Sequence, residues 1–443
     1  MDILEKAMAM LSKHPLCNHC LGRQFALLGY NIENKDRGRA LKISLTLQAS
    51  AFHSAKNTVD LKGLRFLVVN GFSREALETL RHLKKRVPKI GSSKACFLCE
   101  GKFQLLDSLI RKALDAVANY EYSTFLVGVK LPVAVEERED EFKAKFNVSY
   151  GENIRHEFGR LLGKQIAEQT GKATEHLKPD ITIICNPFTE QVSLQVNPLF
   201  VAGRYKKLVR DIPQSKWFCS SCRGRGCEKC GGTGKMYPES VEELVSETFL
   251  EATEGQKTSF HASGREDIDA RMLGDGRPFV IEVTKPKKRF LDLKLIEAAV
   301  NANAVGKVEV CGLRFSNKAV VRRLKKGESA QKEYHVLIEF ENNVTDEGLH
   351  LVEEALNGVL IKQQTPLRVL HRRADLTREK YIYEVKVKKV SPKRAEMKIR
   401  CQGGLYVKEL VSGDEGRTMP NVSELLQNRA KPLKLVVLSV IME

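Results

Sequence analysis

Apolar residues recur at helical spacing over residues 103–120, where Phe103, Leu106, Ile110, Ala113, Leu114 and Val117 share a face. The same period returns over Ile154–Thr170, with Phe158, Leu161, Leu162 and Ile166 together. Between them, residues 123–132 form the short apolar run of a strand. Residues 180–185 and Gln191–Val196 read as two more strands, joined through Asn186-Pro187. This pattern describes an α+β module. Ser240-Val-Glu-Glu243 has the Ser-x-x-Glu form of a capping box and opens a helix running to about Leu250. Beyond it, strands are expected at 279–283, 307–315, 334–341, 381–390, 396–401 and 435–442, and helices at 346–358 and 405–412. There is no internal repeat or low-complexity linker, so the pattern predicts one large mixed α/β domain over 240–443. An N-terminal domain is expected over 1–213 and a connector over 214–239.

No window approaches the roughly 18–20 consecutive apolar residues of a membrane-spanning helix. Residues 1–13 are amphipathic and carry both charge signs, without the basic, apolar, small-residue order of a signal peptide. A cytoplasmic protein with no membrane partner is therefore expected. The length of 443 residues suits two to four domains, and 42% apolar with 29% charged residues argues against wholesale disorder. Lys plus Arg is 73 against 55 for Asp plus Glu, a formal charge of +18. The excess occurs in both halves of the chain, which points to a polyanionic partner, nucleic acid first. Residues 203–210 form one basic segment, in which the interleaved Tyr205 strengthens the case for phosphate contact. Residues 371–400 form another, with eleven Lys/Arg against four Asp/Glu, interleaved with Tyr381 and Tyr383. Arg322-Arg-Leu-Lys-Lys326 is a shorter patch of the same kind.

Eight of the eleven cysteines form four Cys-x-x-Cys pairs: Cys17/Cys20, Cys96/Cys99, Cys219/Cys222 and Cys227/Cys230. Each pair can present two thiolates to one ion at about 2.3 Å, and two pairs complete a tetrahedral zinc site with no open catalytic position. The second quartet is compact and Gly-rich, so its glycines can take the positive φ angles that turn amides toward sulfur. The halves of the first are far apart in sequence, and only folding can unite them. Cys185, Cys311 and Cys401 stand alone and are expected to be core thiols.

The densest polar cluster is His261–Arg277. It contains Glu266, Asp267, Asp269 and Asp275, three arginines and three glycines, just before the 279–283 strand. A solvated loop with weak surface ion pairs would account for the charges. A carboxylate held beside arginines, however, stays ionised at neutral pH and is available as a nucleophile or base.

Gly264-Arg-Glu-Asp267 resembles the Gly-Arg-Thr-Asp signature of TruA-type pseudouridine synthases, whose Asp is catalytic. Cys401-Gln-Gly-Gly-Leu-Tyr-Val-Lys-Glu-Leu410 looks like the Gly-Thr-Tyr-Ile-Arg segment of the TruB type, with Lys408 in place of Arg. Lys keeps the charge of that position and loses the bidentate fork. Lys332-Glu-Tyr334 is similar to the Lys-x-Tyr motif of these enzymes. From about Cys17 onward, the chain resembles archaeal tRNA pseudouridine synthases of the Pus-ten type. The resemblance implies an α+β protein with a mixed-sheet catalytic domain and an N-terminal zinc-binding, THUMP-like α+β domain. It also implies that Asp267 is the nucleophile, attacking C1′ or C6, and that Lys408 holds it ionised. Tyr334 would pack on the uracil, Tyr406 would line the pocket, Leu435 would form an apolar wall and Arg265 would fill the space the base vacates. The expected partner is tRNA, modified in the T-arm at position 54, 55 or both. One or two structural zinc ions, no catalytic cofactor, no protein partner and a monomer complete the expectation. The alternative is a non-catalytic zinc-containing RNA-binding or chaperone-like protein, since 219–234 also resembles the cysteine repeats of DnaJ-type cochaperones.

Overall fold

The computed structural model describes residues 2–56, 60–88, 95–325, 330–371 and 373–441. Lys326, Arg372 and Met442, which belong to segments singled out above, lie outside the described residues. The chain divides into two compact units, Met1–Asn197 and Pro198–Glu443.

The first unit opens on the Ile3–Lys13 helix, started by a reciprocal capping box between Asp2 and Glu5. The Asn34–Lys56, Leu61–Val69 and Arg74–His82 helices follow. Its sheet has four strands, β1 (Thr124–Val129), β2 (Ala173–Thr174), β3 (Ile181–Asn186) and β4 (Gln191–Val196), in the order β2-β1-β3-β4. The Leu106–Val117 helix packs on β4 and the Ile154–Thr170 helix on β1. The strand expected over 123–132 stops at Val129, because Pro132 N-caps a helix over Val133–Lys145. Only Val135, Glu139 and Phe142 of that helix are buried, so its apolar stripe is too thin to read in the sequence.

The second unit is built on ten strands among the described residues. They are β5 (Leu199–Lys207), β6 (Lys257–Ala262), β7 (Arg271–Thr284), β8 (Val308–Phe315), β9 (Gln331–Phe340), β10 (Leu360–Gln364), β11 (Thr377–Ser391), β12 (Arg394–Gln402), β13 (Thr418–Met419) and β14 (Ala430–Ile441). Their order is β13-β10-β11-β12-β9-β14-β7-β5-β8, with β6 paired to β7. β9 alternates strictly, burying Lys332, Tyr334, Val336, Ile338 and Phe340 on one face. Antiparallel pairing with β14 sets Tyr334 opposite Val437 and Val336 opposite Leu435. β14 runs parallel to β7 on its other side, with Val437 beside Met272.

Three expectations are corrected. Residues 198–213, grouped on sequence with the N-terminal domain, belong to the second unit, because β5 pairs with β7 and β8. Within β5, Tyr205 and Lys207 are fully buried and turned inward, so neither can touch a phosphate backbone. Cys185 and Cys401 are core thiols, whereas Cys311 is only half-buried. Among the described residues, no helix is long and apolar enough to cross a membrane.

Candidate active site and metal centres

The β6–β7 loop carries Gly264-Arg-Glu-Asp267, and Glu266, beside Asp267, anchors it. The buried Glu266 carboxylate accepts from Arg277 Nε at 2.8 Å and from the Tyr205 hydroxyl at 3.0 Å. Arg277 Nη1 also donates to the Ser263 carbonyl at 2.7 Å, and Lys207 Nζ donates to the carbonyls of Asp267 and Ile268 at 3.2 and 3.0 Å. Gln214 Nε2 bridges the Tyr205 hydroxyl at 2.7 Å and the Gly264 carbonyl at 3.0 Å. Buried charges survive when each is paired and hydrogen-bonded. Here they pin the chain on both sides of Asp267, which stays half-buried and facing a cavity.

Two cations meet the Asp267 carboxylate: Arg368 Nη2 at 3.2 Å and Lys408 Nζ at 3.3 Å. Burial by itself would raise this carboxyl. The Arg368 guanidinium and then the Lys408 ammonium outweigh it and hold the group below its ordinary value. Lys408 is shared, lying 2.7 and 2.8 Å from the two oxygens of Asp269. Arg368 is oriented by the buried Glu409, to which its Nε donates at 2.6 Å. Sequence reasoning missed Arg368. It stands 101 residues from Asp267 on the short Leu367–Leu370 helix after β10, outside every motif.

All six residues expected at the catalytic centre line one cavity of about 260 Å³: Asp267, Arg265, Lys408, Tyr334, Tyr406 and Leu435. Tyr334 arrives from β9 and Leu435 from β14, while Tyr406 and Lys408 stand at the start of the Val407–Ser412 helix. Gln363 clamps the Tyr406 backbone, accepting from its amide at 2.8 Å and donating to its carbonyl at 3.0 Å. Arg373 Nη1 donates to the Tyr406 hydroxyl at 2.7 Å. Burial pushes the Tyr334 phenol up from its ordinary value. Arg265 lies with its guanidinium 5.5 Å over the Trp217 ring, a cation–π distance.

The two cysteine quartets assemble within their own units. In the first, the four sulfurs lie within 4.8 Å of one another, with Cys17 and Cys99 sulfurs 3.7 Å apart. In the second, the Cys219–Cys227 and Cys222–Cys230 separations are both 3.8 Å. Four thiolates at about 2.3 Å from a tetrahedral ion are themselves about 3.8 Å apart, so this spacing fits zinc. The amides of Gly226 and Gly234 donate to the Cys222 and Cys230 sulfurs at 3.2 Å. Both glycines have positive φ, and a Cβ there would meet the carbonyls of Gly232 and Gly224 at 2.6 and 2.5 Å. Both quartets could hold a metal ion with all four positions supplied by protein.

Residues 200–441 match the family model for the Pus10 C-terminal region, and residues 109–186 match that for the archaeal Pus10 THUMP domain. The chain belongs to the Pus10 family. A tRNA pseudouridine synthase Pus10 of Methanocaldococcus jannaschii is 44% identical, across 97% of this chain and 93% of that protein. Those of Methanothrix thermoacetophila and Pyrococcus furiosus are 39% and 38% identical, each across 99% of this chain and across 94% and 98% of theirs. The Pus10 C-terminal match begins within β5, and the Pus10 THUMP match falls on the α+β module of the first unit.

Proposed function

We propose that the chain isomerises uridine to pseudouridine in tRNA, in the T-arm at position 54, 55 or both, with Asp267 as nucleophile. The relatives named above are tRNA pseudouridine synthases, which supports the reaction class. The observation that carries the residue assignment is the convergence of a carboxylate held by two cations with two tyrosines and an apolar wall in one cavity.

In the reaction, the N1–C1′ bond breaks, the freed uracil turns, and a C5–C1′ bond forms. A proton leaves C5 and one is placed on N1, so atoms and electrons balance without a redox partner. Asp267 attacks C1′ or C6 as the carboxylate, kept charged by Arg368 and Lys408. The target base must leave the helical stack to reach Asp267, and Arg265 is suited to fill the space behind it. Tyr334 packs on the uracil. Tyr406, braced by Arg373 and Gln363, and Leu435 keep the freed base in place. Both cysteine quartets hold zinc in this reading, as scaffold that fixes the folded backbone around each site. The protein acts as a cytoplasmic monomer.

The test is mass-spectrometric mapping of pseudouridine in a T-arm-containing tRNA transcript after incubation with the purified protein. New pseudouridine in the T-arm is expected; an unmodified transcript, or product elsewhere only, would overturn the proposal. Metal analysis of the same preparation is expected to give close to two zinc ions per chain. A fully folded, metal-free protein would refute both zinc sites.

A further inference from the structure

A second cavity, of about 450 Å³, lies beside the Asp267 cavity and shares Gly264, Arg373, Gly404 and Tyr406 with it. Its lining includes four cations, Lys325, Arg373, Arg378 and Lys380, and no carboxylate. They come from two basic segments that are separate in sequence: Lys325 ends the Lys318–Lys325 helix, and the others lie in or just before β11. Only the fold makes them one site.

Their hydrogen bonds leave that charge unneutralised. Arg378 Nη1 donates to Thr365 Oγ1 at 3.0 Å and to the Leu376 carbonyl at 3.2 Å, and Arg373 donates to the Tyr406 hydroxyl. These acceptors are neutral. Among the described residues no carboxylate pairs with any of the four. The neighbouring wall adds to the excess. Lys332 is buried there, and burial, then Arg277, with a smaller push from Lys380, lowers its ammonium to about 8. A lining of cations without carboxylate partners, open to solvent, is suited to take up an anion.

Two glycines stand among the residues shared by the two cavities. Gly264 and Gly404 both have positive φ, and a Cβ on Gly404 would lie 3.2 Å from Lys380 Cε, so glycine lets that lysine cross its backbone. A strand of RNA can therefore place a base in the first cavity while its sugar–phosphate backbone continues into the second. We propose that the second cavity binds the RNA backbone phosphates adjoining the target uridine, with Lys325 and Lys380 as the principal phosphate contacts. This rests on reading the first cavity as the uridine site.

The test uses the full chain carrying Asp267→Asn, bound to a fluorescent T-arm stem-loop and followed by anisotropy over a salt series. Adding Lys325→Gln and Lys380→Gln together should weaken binding roughly 10–100-fold near physiological salt and reduce the salt slope by about 2, as for two lost phosphate contacts. Single methylphosphonates, which remove one phosphate charge, are then placed on either side of the target uridine. At least one should weaken binding to Asp267→Asn protein and have little further effect once Lys380→Gln is present. Unchanged affinity and slope, or losses that simply multiply at every position, would overturn the backbone site. The first methylphosphonate comparison is made on protein with both lysines intact, so a folding defect of the lysine variants cannot imitate its loss of affinity. Pseudouridine formation by the unsubstituted chain is measured on the same RNA. Product without phosphate coupling defeats this inference alone, whereas coupling without product defeats the uridine-site reading and leaves an RNA-backbone site.

Discussion

Asp267→Asn is expected to lower the single-turnover rate of pseudouridine formation by roughly four to six orders of magnitude, as loss of an essential nucleophile does elsewhere. The amide has the shape of the carboxylate and can still accept from Arg368 and Lys408, so tRNA affinity should stay within a few fold. Rate is measured at saturating enzyme and affinity by direct binding; retained turnover would remove Asp267 from the mechanism. The electrostatics add a pH signature. Because its folded-state value is depressed, Asp267 remains ionised through the ordinary carboxylate range, and activity should fall only as pH drops through the lowered value. Arg368→Gln removes the larger of the two opposing cations and should move that acid limb to higher pH. The ion pairs' contribution to stability follows the same sign: it is present above the unfolded carboxyl value and is lost as pH falls through the folded one. An acid limb that does not move would mean that Arg368 does not set the charge of Asp267.

Arg277→Met should be the most damaging change outside the reacting centre. It strips the guanidinium from a fully buried partner, leaving the Glu266 carboxylate, among the described residues, with the Tyr205 hydroxyl as its remaining side-chain donor. Breaking one side of a buried pair typically costs about 3–5 kcal/mol, because the other charge stays buried and uncompensated. The same change frees the Ser263 carbonyl from its donor and loosens the loop that presents Asp267. Denaturant unfolding of the second unit's transition measures the loss. Adding Glu266→Gln should restore much of it, since the double variant buries no net charge. A single variant within about 1 kcal/mol of the parent would show that the pair does not hold the loop.

The two predictions separate the chemistry of the site from its support. In the proposed reaction Asp267 acts on substrate, whereas Glu266, Arg277, Tyr205 and Lys207 hold the backbone beside it. The sheet supplies the rest: the β9–β14 register puts Tyr334 against Val437, next to Leu435, and the clamp from Gln363 fixes Tyr406 from a third direction.

Much of this was legible in the linear pattern because local spacing encodes local geometry. A period of two places Lys332 and Tyr334 on one face of β9 whatever the strand pairs with. A Cys-x-x-Cys turn brings two sulfurs together by itself, and the glycines of the second quartet announce its positive φ angles. Ser240 capping Glu243 starts its helix without tertiary help. The Gly264–Asp267 and Cys401–Leu410 segments likewise marked residues that meet at the cavity. Other features depend on where distant segments land. Arg368 reaches Asp267 only because β10 joins the sheet beside β11, and nothing within its own segment encodes that pairing. Cys17 finds Cys96 through the folding of an intervening helical layer. Tyr205 and Lys207 look like solvent-facing members of a basic run, yet β5 lies inside the sheet, where their polar groups brace the loop that carries Asp267. The basic patches near Lys325 and Lys380 become one cavity for the same reason. Periodicity and turn chemistry act over a few residues, so the sequence by itself determined many of the elements and most of the chemical groups. Strand order, register and burial arise from contacts between remote segments, and these decided which groups became partners.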